Sequence, residues 1–309
     1  MKILAADKIS KEAIEELEKA ADVVTDFNIS PEKLSEEIKK YDIIIVRSRT
    51  KITKDILEVA PKLRAVVRAG VGLDNIDLEY AKEKGVKVIN TPEAPTESVA
   101  ELAIGLMLSL ARNIPEADHS IKEGEWKKKA LKGFELKGKT LGVIGLGRIG
   151  KRVAEIASSL GMKIVAHDRN PHAYFLEKVN GKNTSLIEML KEADFLTIHL
   201  PLTSQTKDMI SEKELISMKS SAYIINTARG GIINEDDLYK ALKNEEIAGA
   251  ALDVFWDKKP FESKIMEVRG KIIFTPHLGS TTHEAQEKVG KLLVEKIMKL
   301  IEHEKKGKV

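Results

Sequence analysis

Three glycines and an aspartate form the most informative constellation in this 309-residue chain. Gly145, Gly147 and Gly150 make a Gly-x-Gly-x-x-Gly run directly after the short apolar stretch Leu141 to Ile144. A helical pattern follows, with Val153, Ile156, Ala157 and Leu160 on one face and Gly161 as its stop. A second apolar run, Lys163 to His167, then ends in Asp168. This spacing suits a dinucleotide. The first glycine permits a tight turn, the second lets backbone approach a pyrophosphate, and the third lets helix pack on strand. Phosphates are expected at the helix N-terminus. An acid at the end of the second strand binds both ribose hydroxyls, which favours NAD over NADP.

A nicotinamide implies hydride transfer, and oxidising a hydroxyl to a carbonyl also needs a base for the hydroxyl proton. An anionic substrate needs a cation beside the reacting carbon. Arg229, in Asn226-Thr-Ala-Arg-Gly-Gly231, follows one apolar strand, and His277, in Thr275-Pro-His-Leu-Gly279, follows another. His199 also follows a strand, so spacing alone does not choose between the two histidines.

These residues require strands to present them. Before the fingerprint, Ile3 to Ala6, Asp22 to Val24, Ile43 to Val46, Ala65 to Val67 and Val86 to Ile89 read as strands. They alternate with amphipathic helices at Ser10 to Ala20, Pro31 to Lys40, Thr53 to Ala60 and Leu78 to Lys84. Pro92 and Pro95 then break the pattern, and an apolar helix spans Glu97 to Arg112. Glu116 to Lys139 reads as a polar stretch. Strands recur at Phe195 to Ile198, Ala222 to Ile225, Gly249 to Leu252 and Ile272 to Phe274, before a last helix from Thr282 to about Glu302. Such alternation predicts an α/β protein with parallel sheets covered on both faces. The mid-chain fingerprint predicts a nucleotide domain (95–280) inserted into a second domain (1–94 plus 281–309), with a ligand cleft between them.

Lys plus Arg number 51 and Asp plus Glu 48, a net charge of +3. No basic footprint for nucleic acid is present. With no cysteine there is neither disulfide nor thiolate metal site, and no metal is expected. The N-terminus turns charged too early for a signal peptide, and no apolar stretch reaches membrane-spanning length, so a cytoplasmic protein is expected.

Further motifs occur in a fixed order: Val67-Arg-Ala-Gly-Val-Gly-Leu-Asp-Asn-Ile-Asp77, Asn90-Thr-Pro92, Glu97-Ser-Val-Ala-Glu101, the fingerprint, Asn226 to Gly231, Gly249-Ala-Ala-Leu-Asp-Val-Phe255 and Thr275 to Ser280. From Ile3 to about Glu302 the chain resembles the D-isomer-specific 2-hydroxyacid dehydrogenases, nearest to their phosphoglycerate dehydrogenase branch in a short form lacking a C-terminal regulatory domain. The resemblance implies two doubly wound parallel-sheet domains, a Rossmann-type nucleotide domain and a flavodoxin-like substrate domain. It implies that Arg229 holds the substrate carboxylate and polarises the C2 oxygen, and that His277 is the acid/base. Asp253 would meet the nicotinamide end and Asp168 the adenosine ribose, and Arg148 and Ile149 would offer backbone N–H groups to the pyrophosphate. His199, Pro201, Thr227 and Gly279 would line the dinucleotide site, and the Gly70–Val71 backbone would hold the carboxylate. It also implies a homodimer through the nucleotide domain, to whose interface Lys128 would bring a cation.

One position departs from the family. A glutamate five residues after the aspartate of Leu-Asp-Val-Phe pairs with the catalytic histidine in the family, and here that position is Lys258. A lysine cannot serve, so Asp257 is the expected replacement, with Glu262 a weaker one. By the same resemblance Arg47, in Arg47-Ser-Arg-Thr50, would bind a phosphate. The expected substrate is therefore 3-phosphoglycerate, oxidised to 3-phosphohydroxypyruvate at the head of serine biosynthesis. Reduction of glyoxylate or hydroxypyruvate is the alternative, and an NAD-sensing corepressor-like protein a more distant one.

Overall fold

The computed structural model describes residues 1–170, 172–256, 260–268 and 270–306. They form two compact units, one of Met1–Pro95 with the chain from Thr281 on, the other of Thr96–Ser280. The first unit alternates β1 (Lys2–Ala5), α1 (Lys11–Glu18), β2 (Asp22–Thr25), α2 (Pro31–Glu37), β3 (Ile43–Val46), α3 (Lys54–Glu58), β4 (Ala65–Arg68), α4 (Leu78–Glu83) and β5 (Lys87–Asn90). Its five strands are parallel in the order β2-β1-β3-β4-β5, the flavodoxin-like winding. All four residues of β3 are buried, as expected of a central strand covered on both faces. Successive side chains alternate between two cores: Ile43 and Ile45 join Ile3, Ala65 and Val67, while Ile44 and Val46 join Leu4 and Val66. Ser10 and Ser30 cap α1 and α2 by accepting the N–H groups of Ala13 and Lys33, each at 3.2 Å.

The second unit contains α5 (Thr96–Arg112), α6 (Ile114–Lys122), β6 (Thr140–Ile144), α7 (Arg148–Ser159), β7 (Lys163–His167), α8 (Ala173–Lys178), β8 (Lys182–Asn183), α9 (Leu186–Glu192), β9 (Phe195–Ile198), α10 (Glu212–Ile216), β10 (Tyr223–Asn226), α11 (Glu235–Lys243), β11 (Gly249–Leu252) and β12 (Ile272–Phe274). Its parallel order β12-β11-β10-β9-β6-β7-β8 reverses direction at β6. The fingerprint turn therefore sits at the switch point, where such sheets bind ligands beyond their strand C-termini. Val99, Ala100, Ala103, Ile104, Met107 and Leu110 of α5 are all buried. The chain then returns to the first unit as α12 (His283–Lys306), whose Val289, Leu293, Ile297, Leu300 and Ile301 join the core beneath β1, β3 and β4.

Three local expectations need correction. Leu160 is 40% exposed, because α7 stops at Ser159 and the chain turns through Gly161 at φ +81°. The stretch read as polar begins with α6, which Asn113 starts from a left-handed conformation (φ 53°) only one residue after α5 ends. Its apolar Ile114 and Ile121 face outward, leaving no buried stripe for the sequence to announce. The two-residue edge strand β8 is too short to leave a periodic signal.

Candidate active site

Because the strands of the second unit are parallel, their C-terminal ends share one edge. Along the strand order that edge presents Asp168 after β7, Gly145–Gly150 after β6, His199 after β9, Thr227 and Arg229 after β10, Asp253 after β11 and His277 after β12. At ~4.8 Å per strand step the row from β7 to β12 extends roughly 24 Å.

At the fingerprint, Gly145 adopts φ +90° and packs on the His199 carbonyl, where a Cβ would lie 2.9 Å from its oxygen. A Cβ on Gly150 would collide with the Gly145 carbonyl oxygen, whereas one on Gly147 would meet nothing within 4 Å. Gly147 caps α7, whose first-turn amides have no partner within the helix. Asp168 accepts the Leu146 N–H at 2.7 Å and the Asn170 N–H at 2.8 Å, and His172 Nε2 lies 3.5 Å away. Burial opposes ionisation of Asp168, but these two N–H donors and His172 together hold its pKa below the usual aspartate value. His199 is half-buried by exposed area, yet its ring is so closely surrounded that desolvation pushes its pKa down to about 3. It is a neutral imidazole, with Nε2 3.0 Å from Thr197 Oγ1. Pro201 is exposed, and its carbonyl accepts the Thr206 hydroxyl at 2.7 Å.

The Arg229 turn is held by Asn226, whose side chain donates to the Arg229 carbonyl at 2.8 Å and accepts the Ala228 N–H at 3.0 Å. Arg229 itself is half-buried and donates to the Ala228 carbonyl at 2.6 Å. Thr227 Oγ1 is buried with no hydrogen-bond partner among the described residues. Such an orphan hydroxyl, on the same sheet edge as the open face of Gly147, fits a polar dinucleotide.

Asp253 is fully buried, and its carboxylate braces the next turn. It accepts Thr275 Oγ1 at 2.6 Å, the Leu278 N–H at 2.7 Å and the Gly279 N–H at 3.0 Å. These bonds enclose His277, which is exposed and left-handed at φ 58°, its N–H on the Thr275 carbonyl at 3.0 Å. Gly279 is buried too, and its carbonyl accepts Ser98 Oγ at 2.7 Å.

This edge has counterparts among known proteins. Residues 104–279, more than half of the chain, match the model of the D-isomer specific 2-hydroxyacid dehydrogenase NAD binding domain. The chain belongs to the D-isomer-specific 2-hydroxyacid dehydrogenase family. It is 46% identical to the D-3-phosphoglycerate dehydrogenase of Methanocaldococcus jannaschii over 98% of its own length, and spans 58% of that longer relative. It is 45% identical to the hydroxypyruvate reductase of Thermotoga maritima, covering 95% of this chain and 96% of that one. Among solved structures, the D-lactate dehydrogenase of Aquifex aeolicus, complexed with NAD and lactic acid, superposes with a TM-score of 0.87 at 30% identity, covering 98% and 96% of the two chains. The nucleotide cofactor of the dehydrogenase family is NAD.

The first unit has its own polar loops. Buried Asp7 accepts the Arg47 N–H at 2.6 Å, the Thr50 hydroxyl at 2.8 Å and Arg49 Nε at 2.9 Å. Asn75 Nδ2 donates to the Arg47 carbonyl at 2.7 Å. The Arg47 guanidinium makes only a 3.5 Å contact with the Lys8 carbonyl, and burial, partly offset by Asp7, lowers its pKa. Arg49 thus pairs directly with Asp7, while the Arg47 guanidinium feels Asp7 at longer range. The Gly70 carbonyl accepts the Thr91 N–H at 2.9 Å, and the Val71 carbonyl accepts Asn90 Nδ2 at 2.6 Å.

The Asp253 carboxylate bonds the Leu278 and Gly279 amides, and the Gly279 carbonyl bonds Ser98 of α5. Glu262 lies exposed in the single 3-10 turn Pro260–Glu262, while Asp257 and Lys258 lie outside the described residues. Lys128 is exposed, and its neighbour Lys127 pairs with Glu125 at 2.5 Å. Asp7, Asn75 and Thr275 went unread as contributors. Asn75 and Thr275 lay within the ordered motifs without a role assigned, and Asp7 stood as a lone acid near a strand end.

Proposed function

We propose that the chain oxidises the C2 hydroxyl of a D-2-hydroxy acid with NAD as acceptor, and that its substrate is 3-phosphoglycerate, the oxidation that opens serine biosynthesis. The carrying observation is the single sheet edge that bears the fingerprint, the orphan Thr227 hydroxyl, Arg229 and His277. Gly147, Arg148, Ile149 and Gly150 hold the pyrophosphate, Asp168 the adenosine ribose, and His199, Pro201 and Thr227 the nicotinamide half. NAD held there would supply the acceptor for the hydride from C2. Arg229 grips the substrate carboxylate and donates to the C2 oxygen, stabilising its growing negative character. His277 takes the hydroxyl proton, and Asp253 keeps the imidazole in place through the turn around it. Asp257 is the carboxylate that pairs with the imidazolium.

Arg47 supplies the phosphate contact, which favours the phosphorylated substrate over glyoxylate or hydroxypyruvate. The Gly70–Val71 loop receives the substrate carboxylate. The protein works in the cytoplasm as a homodimer through the nucleotide unit, a reading supported by the exposed Leu108, Ile114 and Ile121 on α5 and α6. No helix among the described residues is long and apolar enough to cross a membrane.

A panel of 2-keto acids followed by NADH absorbance, repeated with NADPH, tests this reading. His277→Gln should lower kcat roughly 10²- to 10⁴-fold, the usual range for a lost acid/base. Arg47→Ala should weaken 3-phosphohydroxypyruvate selectively; an equal effect on glyoxylate would transfer the assignment to the reductases. NADH binding without turnover of any keto acid would leave the corepressor-like reading.

A further inference from the structure

We infer that Asn90, anchored by Lys296 of the last helix, is a positioning residue that sets the backbone amides of the Gly70–Gly72 loop for a carboxylate. This rests on the reading that the loop receives the substrate carboxylate. Two consecutive peptide groups are involved. The Gly70 carbonyl accepts the Thr91 N–H at 2.9 Å and lies 3.5 Å from Thr91 Oγ1. The Val71 carbonyl accepts Asn90 Nδ2 at 2.6 Å. Both carbonyls therefore point toward residues 90–91. In a planar trans peptide the N–H lies opposite the C=O, so the amides of Val71 and Gly72 point together the other way.

Neither amide has a hydrogen-bond partner among the described residues, and both residues are half-exposed. Two parallel, unpaired N–H groups on adjacent residues form a concavity suited to a carboxylate. Positive φ at Gly70 (+148°) belongs to the same bend, where a Cβ would collide with the Arg68 guanidinium folded across it. Asn90 is fixed in turn: Lys296 Nζ donates to its carbonyl at 2.8 Å and lies 3.2 Å from Glu93 Oε2. The side-chain amide of Asn90 thus acts from a backbone pinned by α12, and one hydrogen bond sets the tilt of the Val71–Gly72 peptide.

The test uses ¹⁵N-labelled protein saturated with NADH and titrated with oxamate, beside steady-state kinetics. In the unsubstituted protein the Val71 and Gly72 amide resonances should move saturably. Asn90→Asp, isosteric but unable to donate to the Val71 carbonyl, should raise the oxamate Kd and the keto-acid KM about tenfold, the loss expected for one mis-set hydrogen bond. NADH affinity should stay unchanged. Lys296→Met should act in the same direction but less, and Lys296→Gln, which keeps a donor, should recover part of the loss. Should Asn90→Asp fail to fold, the two Lys296 variants decide alone. Amides that respond equally in all variants would overturn the Asn90 role and leave the carboxylate reading standing. Amides silent in the unsubstituted protein would overturn both, whereas the NADH assay judges the dehydrogenase reading separately.

Discussion

The Asp253 carboxylate accepts the Leu278 N–H at 2.7 Å, so a fully buried charge on one strand end fixes the turn that carries His277 on the next. Asp253→Asn keeps the volume but offers one acceptor oxygen where three donors converge. It should lose about 1–3 kcal/mol of stability through the unpaired donor. It should also lower kcat by about 10²-fold, because a base displaced by an ångström loses alignment. Urea denaturation read beside saturating turnover checks both. Full turnover in a destabilised variant would assign Asp253 to folding alone.

Gly147 and Gly150 should separate cofactor binding from folding. A Cβ at Gly147 meets nothing, and its φ of −70° suits any residue. Gly147→Ala should change stability by no more than about 0.5 kcal/mol. Its methyl nevertheless enters the space a pyrophosphate approaches, so the NADH Kd should rise about tenfold or more. Gly150→Ala drives a Cβ into the Gly145 carbonyl and should cost about 1–3 kcal/mol before any ligand is added. Calorimetry with and without NADH distinguishes the two.

His199 predicts an acid weakness. Its folded pKa, about 3, lies below the ordinary 6.5, so the unfolded chain binds the extra proton between those values. The contribution is fully present above pH 6.5 and is lost as pH falls toward 3, at up to about 1 kcal/mol per pH unit. His199→Asn should flatten the fall of stability between pH 6.5 and 4, measured by denaturant midpoints. An unchanged slope would mean that the ring takes up a proton in the folded protein.

The carboxylate that serves His277 can be found from rate profiles. In the oxidation direction the imidazole must be neutral, and a nearby carboxylate favours its protonated form. Asp257→Asn should therefore move the acid limb of kcat/KM to lower pH by ~1 unit. Glu262→Gln should leave it in place. If neither variant moves the limb, neither residue replaces the family glutamate.

What the sequence revealed was set by local geometry. Gly145 and Gly150 were legible because backbone needs admit few other residues. Ile43 to Val46 was legible because a strand buried on both faces must be apolar throughout. Arg47 and Arg49 were not separable by pattern, since Asp7, forty residues away, takes the Arg49 side chain as its direct ion-pair partner. Asp253 was legible as a functional position but its donors were not, because they come from a turn distant in sequence. Thr227 needed the fold before its hydroxyl could be recognised as unpaired.

The return of α12 to the first unit also bears on biosynthesis. Residues 96–280 are contiguous and can close their sheet as soon as they leave the ribosome, whereas β1 to β5 emerge first and wait. Until Val289, Leu293 and Ile297 are translated, the face bearing Ile3, Ile43 and Val67 has Ala13 and Leu17 of α1 but lacks the rest of its cover. The earliest-made strands are therefore the last to be shielded, and the nascent chain exposes an apolar sheet for most of its elongation. Demand for a holdase chaperone should be greatest on this half, although it is synthesised first.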